Sequence, residues 1–182
     1  MTGSTVSHFL KNNVREGRRC LVGLFLFNPE QMLIGKLKKS MYKPFHINDK
    51  ILIEKNLKNI LNLKLLYSDY VDDDGKVIAD TIAIDKNGTL YLIGYKKSVK
   101  DDCLKRYKEQ YNKLMENRYE FEERAKLTAR NDDLSLYRCN AIIISSVFTL
   151  KEIKESKNFP IPCELYTWSL VENIIIFDKV NK

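Results

Sequence analysis

One stretch constrains the fold more than any other: VIADTIAIDKNGTLYLIGYKKS, residues 77–98. Its first eight residues alternate. Ile78, Asp80, Ile82 and Ile84 share one face of an extended strand, and Val77, Ala79, Thr81 and Ala83 share the other. The Asn87-Gly88 pair then tolerates the positive φ that a tight hairpin turn needs. The segment TLYLIGYKK is the returning strand. A hairpin of this kind needs cover on both faces, because Ile82 and Ile84 face one way while Ala83 and its neighbours face the other.

The flanking segments supply that cover. Asn48–Leu61 carries helix signals: Asn48 or Asp49 as a cap, and Ile51, Ile53, Leu57, Ile60 and Leu61 largely on one face. Leu63–Val71 reads as a strand, and Asp72-Asp73-Asp74-Gly75 as a solvated acidic turn. A long helix is expected from about Lys100 to Ala129, with Leu104, Tyr107, Tyr111, Leu114, Met115 and Phe121 as its apolar stripe. Tyr137–Phe148, with the apolar run Ala141–Ile144 at its centre, reads as a strand buried on both faces of a sheet. A short helix near Thr149–Lys157 and two strands, CELYTW and ENIIIFDKV, follow. The expected class is α/β, with a mixed central sheet flanked by helices over residues 45–182. Residues 1–44 form a basic N-terminal extension, with a short helix over residues 4–13 and a possible hairpin made of CLVGLFLF and QMLIGKL.

Charge is uneven. The chain has 182 residues and a net charge of +7. Residues 1–43 hold eight bases (Lys11, Arg15, Arg18, Arg19, Lys36, Lys38, Lys39 and Lys43) against Glu16 and Glu30, nearly the whole excess. A second basic concentration runs from Lys96 to Arg118 and includes Lys97 and Lys100. Such surface suits a polyanion, and duplex DNA is the partner expected for it; a solubilising face is the plain alternative. Cys20, Cys103, Cys139 and Cys163 are scattered, without a CxxC pair, as in buried reduced thiols. No apolar run reaches the roughly 20 residues of a membrane helix. The start, MTGSTVSHFLKNN, lacks the charged-then-apolar pattern of a secretory signal, so a cytoplasmic location is expected. His8 and His46 are too few and too far apart to suggest a ligand pair.

Asp80 is the residue that asks for chemistry. A carboxylate on an otherwise apolar strand face costs free energy unless it is paired or holds a metal. Lys96 lies across the hairpin, so the two converge either as a buried ion pair or as part of a site. Metal-dependent phosphodiester cleavage needs carboxylates for Mg²⁺ and a lysine to orient the attacking water.

On ILIEKNLKNIL, ADTIAIDKNGTLYLIGYKKS, YKEQYNKLMENRYEFEE and NAIIISSVFTLKEI, the chain resembles the PD-(D/E)XK nuclease superfamily from about Phe45 to Val180. The resemblance implies an αβββαβ core and Mg²⁺-dependent DNA cleavage. It places Glu54 at the helix acid, Asp80 at the metal-binding aspartate and Lys96 at the catalytic lysine. Gly94 stands where the second metal carboxylate belongs. Glu109 on the following helix is a candidate for a relocated carboxylate, and a solvated surface glutamate is the alternative reading of it. The expectation is therefore a catalytically inactive, nuclease-like DNA-binding protein without a cofactor. Glu54, Asp80 and Lys96 would be vestigial, and Arg15, Arg18, Arg19, Lys36, Lys38, Lys39, Lys43, Lys96, Lys97 and Lys100 would contact DNA. An active enzyme using Mg²⁺ on Asp80 and Glu54, and a protein-binding module, are the alternatives. In size, charge and disabled-nuclease logic the chain is similar to small phage proteins that block restriction or CRISPR effectors, so an RNA-guided nuclease is a second expected partner. Gly94→Glu is the substitution expected to restore weak metal binding.

Overall fold

The computed structural model of the chain describes residues 45–98, 100–171 and 174–181. The expected helix and hairpin of residues 1–44 lie outside them, as do Cys20 and the bases from Lys11 to Lys43. Among the described residues the architecture is α/β, with four helices around one six-stranded mixed sheet.

Helix α1 (Ile47–Leu61) comes first, one residue earlier than its sequence signals suggest. Asp49 contributes from inside the first turn, where its carboxylate accepts from the His46 N–H at 2.9 Å. The buried stripe is narrower than the apolar pattern implies. Ile53 and Leu57 are buried, whereas Ile51 is exposed.

Strands β1 (Lys64–Val71), β2 (Val77–Ile84) and β3 (Leu90–Tyr95) form an antiparallel meander. The turn between β2 and β3 follows its sequence. Gly88 has φ +82°, and the Asp85 carboxylate accepts from the N–H groups of Asn87 and Thr89. Strand β4 (Cys139–Ser145) lies parallel beside β3, and β5 (Cys163–Val171) parallel beside β4. Strand β6 (Ile174–Lys179) returns antiparallel to β5, so spatial order equals sequence order. The buried β4 matches its continuous apolar run.

The single helix expected from Lys100 to Ala129 is two: α2 (Cys103–Glu116) and α3 (Arg118–Ala129). Asn117 breaks it at φ −104°, ψ 28°. Its side-chain amide donates to the Lys113 carbonyl at 3.3 Å, the local competition that makes Asn a poor helix interior residue. A short α4 (Leu150–Glu155) connects β4 to β5 through a 3₁₀ turn.

The sheet divides the core. On one face Ile78, Ile82, Ile84, Leu90 and Leu92 pack with Leu114, Phe121 and Ala125 of α2 and α3. On the other, Ala83, Ile93, Tyr95, Ile142, Ile144 and Trp168 pack with Ile53 and Leu57 of α1. No helix among the described residues is long and apolar enough to cross a membrane.

Cys103 and Cys139 are buried free thiols. Burial pushes both thiols up to about 12. Neither is expected to react with iodoacetamide at neutral pH in the native protein, and both should react once it is denatured. Peptide mapping by mass spectrometry checks this; rapid native labelling of Cys139 would contradict the burial.

Candidate functional site

Asp80 sits in β2 next to Thr81, which pairs with Ile93 of β3. Carried one residue past the last pair of that ladder, the register sets Asp80 opposite Gly94. The face they share looks toward α2, and α2 brings two consecutive residues to it, Arg106 and Tyr107.

The Tyr107 hydroxyl is fully engaged. It donates to Asp80 Oδ2 and accepts from the Tyr95 backbone N–H at 2.7 Å and from Arg106 Nη1 at 3.0 Å. Burial first, and then the adjacent Asp80 charge, hold its pKa well above the ordinary tyrosine value. The phenol therefore remains protonated and a donor. Arg106 reaches Asp80 Oδ2 at 3.3 Å, the Tyr95 carbonyl at 2.9 Å and Asp101 Oδ2 at 2.7 Å. Lys97 adds a second cation 4.0 Å from Asp80 Oδ1. Asp80 is buried but has a phenol, a guanidinium and an ammonium for company, so its charge is compensated within the chain.

Gly94 is now explained. A Cβ built on it would lie 2.1–2.4 Å from Cζ, Cε2 and Cε1 of the Tyr107 ring. The volume that a side chain at position 94 needs is filled by Tyr107. Position 94 is thus glycine for close approach and not for backbone freedom. Gly94→Glu, expected from sequence to restore a metal ligand, has no room in this packing.

Of the residues singled out from sequence, Lys97 comes to Asp80, whereas Glu54, Glu109 and Lys96 do not. Glu54 lies on the opposite face of the sheet, where it accepts from Thr81 Oγ1 at 2.5 Å and Ser68 Oγ at 3.0 Å. Glu109 is exposed on α2, two residues beyond Tyr107 and so turned away from it. Lys96 points from β3 into the interior. It is 2% exposed, with Nζ 2.7 Å from Glu152 Oε1 of α4 and 6.0 Å from the Phe148 ring centroid. Lys96 is thus buried among the described residues, where an exposed place on a DNA-binding surface was expected. Lys97 and Lys100 are exposed, as are Lys105 and Lys108 of α2. Arg15, Arg18, Arg19, Lys36, Lys38, Lys39 and Lys43 lie outside the described residues.

Among the described residues, the carboxylate set implied for a divalent ion does not assemble. Asp80 is the sole carboxylate of the implied set on its face, and Tyr107 fills the position of the second. Among the described residues no three His, Cys, Asp or Glu side chains come together as a cation site. Beside Asp80 is a cavity of about 250 Å³ bounded by His46, Lys50, Asp69, Tyr95 and Lys97. Lys50 Nζ is 2.6 Å from Asp69 Oδ1, so positive and negative groups alternate around it.

Sequence reasoning placed Tyr107 on a core stripe, which is correct for its ring, and missed its hydroxyl. Arg106 and Asp101 entered only as charges. The one available signal was the glycine itself, which marks a close approach without naming the approaching residue. In comparisons with family models, with curated proteins and with solved structures, nothing matches the chain.

Proposed function

We propose that the chain is a non-catalytic DNA-binding protein with a nuclease-like core, and that it acts by inhibiting a DNA-cleaving enzyme. The observation that carries the reading is the Tyr107 ring in the space of a side chain at position 94. A site whose aspartate is already held by Tyr107, Arg106 and Lys97 has no use for Mg²⁺ as counter-charge. The basic extension and the exposed Lys97, Lys100, Lys105 and Lys108 are the phosphate contacts. Contacts of this kind grip DNA largely without sequence preference.

The test is a binding and cleavage assay on duplex DNA with Mg²⁺ and with Mn²⁺. The expected result is binding without cleavage. Neutralising four phosphates gives a slope of about −3.6 in log K against log salt. In a target-cleavage assay with restriction enzymes and RNA-guided nucleases, the protein should lower cleavage. Charge reversal of Lys36, Lys38 and Lys39 should relieve that inhibition. Metal-dependent turnover that Asp80→Asn abolishes would overturn the reading in favour of an active nuclease. Affinity that stays flat from low to physiological salt would overturn its electrostatic part.

A further inference from the structure

Far from Asp80 along the sheet, at the end where β4 begins, two aromatic rings stand in solvent. Tyr119 in the first turn of α3 is 76% exposed, and Tyr137 in the loop before β4 is 72% exposed. Both flank Arg118. Its guanidinium carbon lies 4.3 Å from the Tyr119 ring centroid and 4.5 Å from that of Tyr137. Arg118 Nη1 also donates to the Tyr137 hydroxyl.

The arrangement is fastened from below. Glu122 Oε1 accepts from the Leu136 N–H at 2.8 Å and from Ser135 Oγ at 3.2 Å, which ties the Tyr137 loop to α3. Its other oxygen lies 4.0 Å from Arg118 Nε. Leu134 and Leu136, on either side of Ser135, are buried in the core. The two rings are therefore held in place while their outer surfaces stay in water, so ordering them costs little when a ligand arrives.

We infer that Tyr119, Arg118 and Tyr137 form a stacking platform for the unpaired bases of single-stranded nucleic acid. Each ring offers a flat π-face to a planar group. Bases in a duplex are already stacked on one another, so only an unpaired base is free to use it. Asp132, Asp133 and Arg138, close to Tyr137 in the chain, are all exposed. A protein partner would call for a contiguous apolar patch there, whereas a base needs single rings. Arg138, next in the chain to Tyr137, is exposed and its Nη2 donates to the Asp133 carbonyl, which keeps a cation close to the ring. The inference deepens the DNA-binding reading and rests on it.

The experiment is fluorescence anisotropy with a labelled oligothymidylate and, separately, with a duplex closed by hairpins. Loss of one stacking contact is worth roughly tenfold in affinity. Tyr119→Ala and Tyr137→Ala are each expected to weaken the single strand by about that factor, with duplex binding unchanged, while Tyr119→Phe keeps wild-type affinity. Both positions are exposed, so the variants should keep the native thermal midpoint. Single-strand affinity that survives both alanine substitutions in folded protein overturns the platform. Binding of duplex but not of the single strand also overturns it and leaves the DNA-binding reading standing. Binding of neither sinks both.

Discussion

Gly94→Ala is expected to destabilise the fold by about 3 kcal/mol or more, at the upper end of overpacking penalties. The new methyl would meet the Tyr107 ring at 2.1 Å, and neither partner has freedom to retreat. Gly94 is held in β3 between β2 and β4, and the Tyr107 hydroxyl is fixed by Asp80, Tyr95 and Arg106. Tyr107→Ala alone should cost about 3–5 kcal/mol through the cavity it leaves and the hydrogen bonds it removes. In the double variant the methyl enters vacated space. The two costs should then fall short of additivity by about 1–3 kcal/mol. Denaturant unfolding of the four proteins measures this coupling, and additive costs would show that ring and backbone do not compete for one volume. The same logic says that Gly94→Glu by itself yields no Mn²⁺ binding in calorimetric titration. A carboxylate at position 94 and a tyrosine at position 107 exclude each other.

Glu152→Ala should be the next most damaging change, at about 3 kcal/mol. Glu152 does two jobs. One oxygen pairs with the buried Lys96 ammonium at 2.7 Å, and the other accepts from the N–H and hydroxyl of Thr149 at 2.8 Å to close the first turn of α4. Removing it takes one carboxylate from beside a charge that is 2% exposed and frays a helix of six residues. Lys96→Met should be far milder, because an apolar side chain of similar length can replace a buried ammonium at little net cost. The contrast also decides what Lys96 is for. As a structural residue, its replacement by Met leaves DNA affinity unchanged. A fall in DNA affinity at unchanged stability would return Lys96 to the binding surface.

Much of the architecture was legible because local signals and the global fold agree. The alternation of Ile78, Asp80, Ile82 and Ile84 set the strand and its inward face. Asn87-Gly88 set the turn, and the apolar run at Ala141–Ile144 marked a buried central strand. Each of these depends on residues a few positions apart, which is the range over which pattern carries information. The break at Asn117 was missed because the apolar stripe continues through it, while the backbone there leaves the helical region and the side-chain amide donates to Lys113.

The site was legible in part and for a definable reason. From sequence came an aspartate needing a partner, a lysine across a hairpin and a glycine out of pattern. What met the aspartate depended on where α2 lands on the sheet, and no local pattern encodes that. Tertiary packing turned Lys96 toward Glu152 on α4, 56 positions away, and put Glu54 on the far face of the sheet. It set Tyr107 against Gly94 and Arg106 against Asp80. The sequence by itself determined that Asp80 had to be buried, because strand alternation puts it on the face of Ile78, Ile82 and Ile84. Only the tertiary structure decided which groups compensate it, because a buried charge is answered by whatever donors the neighbouring elements carry to within about 4 Å.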